Sequence, residues 1–341
     1  MATTAGRWYG WVHGTSAAPR ALAAAAVAAA CALADPGAAL ARETVTFSYQ
    51  SSSTLIAVMR HQGILKQRLD ELGFDAQFKS FTSGLAEAIN AGSVDFHGDI
   101  ADAATVFTLA AGAPVTYYAR ETSAPSAQAI IVPADSPIKT VADLKGRSVA
   151  VSKGSGTNFL LNAALARAGL TNQDIEPRYL RPVDAASAFR NGRVDAWSIW
   201  DPFLAIEELG GKVRVLSDGS DGLALYTRYF QVTTSFAKKH PEVVQVVFDT
   251  LRETGKWVKD HPDEAAELLA PIWGDVTPEV VKHVNARRSY EIVPVPDAAS
   301  DQERQRIADV FFEAGLIPAK LDAASIEVWT PTQAVQPTAS N

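Results

Sequence analysis

The chain has 341 residues, with 31 Lys and Arg against 38 Asp and Glu, and Cys31 is its one cysteine. A formal net charge of −7 gives no long-range attraction to nucleic acid or to an anionic membrane surface, so neither is an expected partner. The length suffices for one large or two medium domains with a full hydrophobic core.

Arg7 and Arg20 precede an apolar, Ala-rich run over residues 21–34, and Ala39-Leu40-Ala41 has the small-x-small pattern that a signal peptidase reads. Residues 1–41 are therefore expected to be an export leader, with Arg42 as the first mature residue, because the run is too short to span a bilayer. Cys31 would leave with it. A lipid anchor at Cys31 is the lesser alternative, since Ala28 stands where a lipobox wants a Leu-like residue. Without the leader the chain has no thiol, which excludes disulfides, thiolate–metal sites and a cysteine nucleophile.

From Thr44 strand and helix alternate. Val45, Phe47 and Tyr49 form an alternating strand that leads through Gln50, Ser51, Ser52, Ser53 and Thr54 into the apolar helix LIAVM. A helix after Gly63, a strand over 75–81, a helix over 85–90 and a strand over 94–97 follow. That strand leaves through Gly98-Asp99-Ile100-Ala101-Asp102 into the helix ATVFTLAAG, and a strand over 114–120 reaches a connector at 123–126. The next unit comprises AIIVPADSP, a helix VADLKG, the strand SVAVS, the strand EPRYLRP, the helix DAASAFRNG, the strand VDAWSIW, a helix over 203–209 and the strand VRVLSD. ALYTRYFQVTT reads as a strand, the rest as almost wholly helical, and the polar residues after Thr332 as a mobile end.

Residues 152–161, SKGSGTNFLL, are the most informative stretch. A strand ends at Ser152, turns through Gly154, Ser155 and Gly156, and enters a helix at Thr157 and Asn158. Such a turn aims the unpaired first N–H groups and the positive end of the helix dipole at one point, which suits an oxyanion. An ordinary turn with a Ser cap accounts for the same triplet. An internal echo supports a paired architecture: Ala86, Ala88, Ile89, Gly92, Val94 and Asp95 recur as Ala186, Ala188, Phe189, Gly192, Val194 and Asp195. Two similar α/β lobes, with ligand-facing loops at the carboxyl ends of their strands, are the simplest account.

Three strand-to-helix exits, over 49–54, 98–102 and 152–158, then face one cleft. Four or five charge-assisted hydrogen bonds of about 1.5–3 kcal/mol each offset the desolvation of a small anion and reach the roughly −8 kcal/mol of micromolar binding. Ser51, Ser52, Ser53, Ser155 and Thr157 supply hydroxyls, while Tyr49, Trp200 and Tyr229 are candidates for an apolar wall. Asp99 and Asp102 suit helix caps better than ligands, and Asp201-Pro202 suits a helix start. Arg287 and Arg288 read as surface charges, and His97 as a hydrogen-bonded core histidine. The remaining histidines lack zinc spacing, and neither a G-x-S-x-G elbow nor a Walker sequence occurs, so no catalytic residue, metal or cofactor is expected.

The segments DSPIKTVADLKGRSVAVSKGS, FRNGRVDAWSIWDPF, SFAKKHPEVV, RRSY and VWTPTQ closely resemble the aliphatic sulfonate-binding proteins of ABC importers, within the wider nitrate, taurine and sulfonate group. The resemblance implies a two-lobed α/β periplasmic-binding-protein fold of type II, with mixed sheets and a ligand cleft between lobes. It implies a periplasmic monomer that delivers its ligand to a membrane permease with an ATPase partner. Lobe boundaries are expected at residues 42–125 and 228–341 for one lobe and 126–227 for the other. The family's ligand loops map onto Gln50 to Ser53, Ser152 to Thr157, and Trp200 with Asp201. Many relatives carry Gly-Asp followed by two prolines near the third strand's exit, whereas this chain has HGDIADAAT, so the match to Asp99 or Asp102 stays open, and the headgroup with it. Taurine, whose ammonium would need Asp201, and nitrate are alternatives, and the same fold carries a cysteine-dependent desulfinase and thiamine-pyrimidine proteins.

Overall fold

The computed structural model describes residues 42–49, 53–80, 85–274, 276–323 and 326–332. The expected leader, the polar end after Thr332, and Gln50, Ser51 and Ser52 lie outside the described residues. In chain order the first elements are β1 (Glu43–Tyr49), α1 (Leu55–Gln62), α2 (Ile64–Glu71), β2 (Phe74–Ser80), α3 (Leu85–Asn90), β3 (Phe96–Ala101), α4 (Asp102–Ala110) and β4 (Val115–Glu121). Then come β5 (Gln128–Pro133), β6 (Ser148–Val151), α5 (Gly156–Arg167), β7 (Glu176–Tyr179), α6 (Pro182–Arg190), β8 (Ala196–Trp200), α7 (Phe203–Leu209) and β9 (Val213–Asp218). The last are β10 (Arg228–Thr233), α8 (Thr234–Lys239), α9 (Pro241–Asp260), α10 (Pro262–Leu269), α11 (Pro278–Arg287), β11 (Ile292–Val293), α12 (Ala298–Glu313) and β12 (Glu327–Val328).

These strands form two mixed sheets. One has the order β11-β4-β10-β3-β1-β2, with β12 also on β4, and the other β7-β6-β8-β5-β9. In each, three neighbouring parallel strands meet an antiparallel strand that arrives from the other sheet, β10 beside β3 and β5 beside β8. The chain thus crosses between sheets twice, before β5 and before β10.

The hundred-residue echo has a structural counterpart. Asp95 exchanges main-chain bonding with the parallel strand β1, its N–H donating to the Thr46 carbonyl and its carboxylate accepting the Thr46 N–H at 2.8 Å. Asp195 does the same to Ser148 of β6, again at 2.8 Å. A short acidic side chain at the start of a parallel strand completes the ladder of its neighbour, which explains why aspartate follows the glycine turn in both copies.

Aromatic stacking fills the first sheet's core. Phe47 lies between Phe78 and Phe96, with ring centroids 5.4 and 4.9 Å away, and α9 covers that face with Val243, Val247, Phe248 and Leu251. A second cluster joins Val149, Val151 and Leu161 from around the other sheet to Val106 of α4 and to Ile307 and Phe311 of α12.

Three local expectations differ. The third strand runs through Ala101 instead of ending at His97, because β10 pairs along it and a bulge in the pairing accommodates Asp99 at φ 64°. VADLKG contributes only a 3₁₀ turn, Val141–Leu144. The late chain includes β11 and β12, both on β4, since an edge strand recruits even two-residue partners. No helix among the described residues is long and apolar enough to cross a membrane.

Candidate functional site

A cavity of about 260 Å³ opens between elements of the two sheets, lined from one by Asp99, Ala101, Ala104 and Phe107, from the other by Gly154, Ser155, Gly156 and Trp200, and by Tyr226 and Arg228 at the second crossing. Larger grooves lie elsewhere, among them two of about 740 and 750 Å³, one along α9 beside residues 289–293 and one between α6, α7 and β9. Neither contains a strand-to-helix exit of the kind singled out above.

Of the turn after β6, residues 154–156 line this cavity. Gly154 has φ 72°, and a Cβ there would stand 2.8 Å from the Phe107 ring, so any other residue meets both backbone strain and a clash. Ser155 is the helix cap: its hydroxyl donates to the Ser152 carbonyl at 2.7 Å and accepts the Asn158 N–H at 3.1 Å. Thr157 is buried with its hydroxyl 2.9 Å from that of Ser155. Asn158 Oδ1 accepts the Gly154 N–H at 3.0 Å. The Gly156 and Thr157 amides take no part in these bonds and stand at the positive end of α5.

Opposite lies a buried charge cluster. Asp99 Oδ1 accepts from Arg228 Nη1 at 2.9 Å and from Arg288 Nη2 at 3.0 Å, and Oδ2 accepts the Thr54 N–H at 2.9 Å. Arg288 also pairs with Glu121. Burial alone would raise the Asp99 pKa, but the two guanidinium groups and the Thr54 N–H outweigh it and hold the carboxyl at about 2. Two carboxylates and two guanidiniums cancel, so the Arg228 guanidinium reaches the cavity without a surplus of charge behind it. Its plane covers the Tyr226 ring at 5.1 Å.

Asp102, also buried, accepts the Ala103 N–H at 2.8 Å and the Thr227 N–H at 3.0 Å. Burial, with Glu303 nearby, pushes its pKa up to about 7 against the pull of those two N–H groups. It therefore anchors the crossing segment that carries Tyr226 and Arg228. Among the described residues no group of His, Cys, Asp or Glu is arranged to hold a metal ion.

Two of the three expected exits meet at the cavity, at 99–104 and 154–156. At the third, Ser53 is buried and Thr54 is tied to Asp99. Several predicted side chains go elsewhere. Gly98 packs into the core, where a Cβ would lie 2.7 Å from the Phe230 ring. Tyr49 lies against the first core cluster and accepts from Arg60 at 2.6 Å. Ser152 donates to the Leu180 carbonyl at 3.1 Å. Tyr229 is fully buried against Tyr117 and accepts from Arg304 at 2.8 Å. Asp201 is buried, accepts the Ala205 N–H at 3.1 Å and faces Arg287 Nε at 3.4 Å, with burial raising its pKa to about 6 despite that arginine.

Arg288 corrects its surface assignment: it is buried, paired with Asp99 and Glu121, donates to the Thr54 hydroxyl at 3.2 Å and lies over the Tyr290 ring. Arg287 is not free either, donating to the Ser126 carbonyl at 2.9 Å and pairing with Glu208. His97 is a core histidine, 2.7 Å from the Ser48 hydroxyl. Sequence reasoning passed over Arg228, Tyr226 and Phe107. The signal for Arg228 was strand alternation: neighbouring residues point to opposite faces, so choosing Tyr229 for the cleft put the choice one residue off.

Comparison with known proteins places this geometry in a family. The NMT1/THI5-like family model matches residues 72–265. A protein of Escherichia coli (strain K12) named for binding aliphatic sulfonates is 37% identical over 293 residues, 85% of this chain and 90% of that protein. Among solved structures, the periplasmic aliphatic sulphonate binding protein SsuA from Escherichia coli superposes with a TM-score of 0.79 at 35% identity, covering 88% of this chain and 96% of that one. The alkanesulfonate-binding protein SsuA from Xanthomonas axonopodis pv. citri, bound to MOPS, gives 0.74 at 32% identity, covering 84% and 98%.

Proposed function

The chain belongs to the NMT1/THI5-like family, and we propose that it is the periplasmic substrate-binding component of an ABC importer that captures aliphatic sulfonates for sulfur acquisition. The observation that carries the reading is the cavity itself, because elements from both sheets bring donors and aromatic surface to one small space. A sulfonate is singly charged at any ordinary pH and has no proton to donate. The Gly156 and Thr157 amides and the Arg228 guanidinium are donors, while Phe107, Trp200 and the alanines of α4 cover an alkyl tail.

In this reading residues 42–125 and 228–341 form one lobe and 126–227 the other, the two crossings act as the hinge, and a ligand touching both lobes favours closure. Residues 1–41 direct export, the protein works as a monomer, and a permease with an ATPase receives its ligand. It acts as a receptor, not an enzyme: the cysteine chemistry of a desulfinase has no counterpart beyond Cys31 in the leader.

Calorimetry and thermal shift on the purified protein test this with 1-propanesulfonate, MOPS, taurine, nitrate, sulfate and a thiamine pyrimidine. Sulfonates are expected to raise the melting temperature with micromolar Kd and to be recovered unchanged. Stabilisation by nitrate or a pyrimidine but by no sulfonate would overturn the assignment, and product formation would overturn the receptor role.

A further inference from the structure

Gln128 opens β5 directly after the first crossing and sits opposite Trp200 in the β5–β8 pairing. It is 1% exposed, and its carboxamide oxygen is buried without a hydrogen-bond partner. Most buried side-chain amides are paired, and an unpaired one is costly, so it calls for an explanation. Its surroundings are the cavity wall. A Cβ on Gly156 would lie 3.5 Å from Gln128 Oε1 and 3.2 Å from the Tyr226 ring, and Gly156, Tyr226 and Trp200 all line the cavity. Arg228 Nε, on the same wall, is likewise buried without a partner. Unused polar groups from β5, β10 and the first turn of α5 thus gather behind one surface.

We propose that Gln128 is a headgroup-binding residue, its amide nitrogen donating to an oxygen of the bound sulfonate. The two ends of a carboxamide exchange by a half-turn of the last side-chain torsion. A sulfonate only accepts hydrogen bonds, so it selects the orientation with the NH₂ towards the ligand. The inference rests on the sulfonate reading above and adds to it a neutral donor that replaces a water hydrogen bond without adding charge. The alternative is that the amide merely fills space beneath α5.

Full-length Gln128→Leu and Gln128→Glu proteins separate the two, with Gln128→Met as the volume-matched substitute if the leucine variant fails to fold. Removing a donor to a charged group is expected to weaken 1-propanesulfonate binding at least about tenfold by calorimetry, while the ligand-free melting temperature stays level or rises because an unpaired buried amide has gone. Gln128→Glu, which sets a carboxylate beside the anion, should weaken binding more than Gln128→Leu at pH 8. Wild-type protein that binds 1-propanesulfonate beside a Gln128→Leu or Gln128→Met variant that binds within twofold of it would overturn the Gln128 assignment alone. Wild-type protein that binds no sulfonate would overturn the receptor reading and this inference together.

Discussion

Asp99→Asn is the most discriminating perturbation, because it changes one atom and leaves the shape of the site intact. Asp99 holds Arg228 and Arg288 at 2.9 and 3.0 Å and the Thr54 N–H at 2.9 Å, with its side chain 1% exposed. The asparagine leaves two guanidiniums facing Glu121 alone, a net positive charge inside the protein. Breaking a buried ion pair by removing one partner costs about 3–5 kcal/mol, and at roughly 2–4 °C per kcal/mol for a domain of this size the melting temperature falls on the order of 10 °C. The pH dependence agrees in sign. Because the folded-state pKa of Asp99 is held at about 2, below the ordinary carboxylate value, its stabilising contribution is fully present above about pH 4 and lost as pH falls towards 2, roughly 2–3 kcal/mol in all. The variant loses more than this, since its amide NH₂ replaces an accepting oxygen and faces a donor, either the Thr54 N–H or the arginines. Thermal melts at pH 7, with and without 1-propanesulfonate, provide the assay. The ligand-free variant should melt well below wild type, and the anionic ligand should raise its melting temperature by more than it raises the wild type's. A variant melting within about 2 °C of wild type would refute the claim that this carboxylate holds the two arginines.

Gly156→Asp places a carboxylate where the anion is proposed to sit, against Tyr226 and Gln128, and is expected to abolish sulfonate binding by calorimetry while the circular dichroism of the fold persists; measurable wild-type affinity would count against the site. Tyr229→Phe removes the hydroxyl that accepts from Arg304 at 2.8 Å and should lower stability by roughly 1.5–3 kcal/mol yet leave Kd unchanged, so a large loss of affinity would return Tyr229 to the cleft. Burial depresses the His97 pKa to about 4; the neutral ring's contribution is therefore complete above about pH 6.5 and lost as pH falls through 4, about 3 kcal/mol, and an NMR titration showing His97 ionising near 6.5 would contradict it.

The alternation of strands and helices and the echo between the two halves were legible because they rest on periodicity and on turns that need particular residues. Asp95 and Asp195 stood out for a reason the structure supplies, since each completes the hydrogen bonding of the parallel strand beside it. The glycine turn at 154–156 was legible on the same ground. What the sequence withheld depends on pairing across long separations. Nothing local links Asp99 to Arg288, 189 residues away, so Arg288 looked like any charge at the end of a helix. The bulge that admits Asp99 depends on β10, which reaches β3 only after the whole second sheet has been built. For Arg228 and Tyr229 the composition of the strand was right and its facing was wrong, as a shift of one residue reverses every side chain.

The second crossing joins these points. Its residues are gripped from three directions: Glu303 Oε1 accepts the Leu225 N–H at 2.7 Å, Asp102 Oδ2 accepts the Thr227 N–H at 3.0 Å, and Asp99 holds the Arg228 side chain. The same few residues present Tyr226 and Arg228 to the cavity. Acidic side chains from β3, α4 and α12 therefore fix the position of a segment that is at once a link between the sheets and a wall of the site. On the proposed reading this explains how a singly charged ligand can bias a whole molecule. A sulfonate held by Arg228 and by the first amides of α5 bears directly on the crossing about which the lobes would turn, so its binding energy acts at the hinge and needs no longer path through either core.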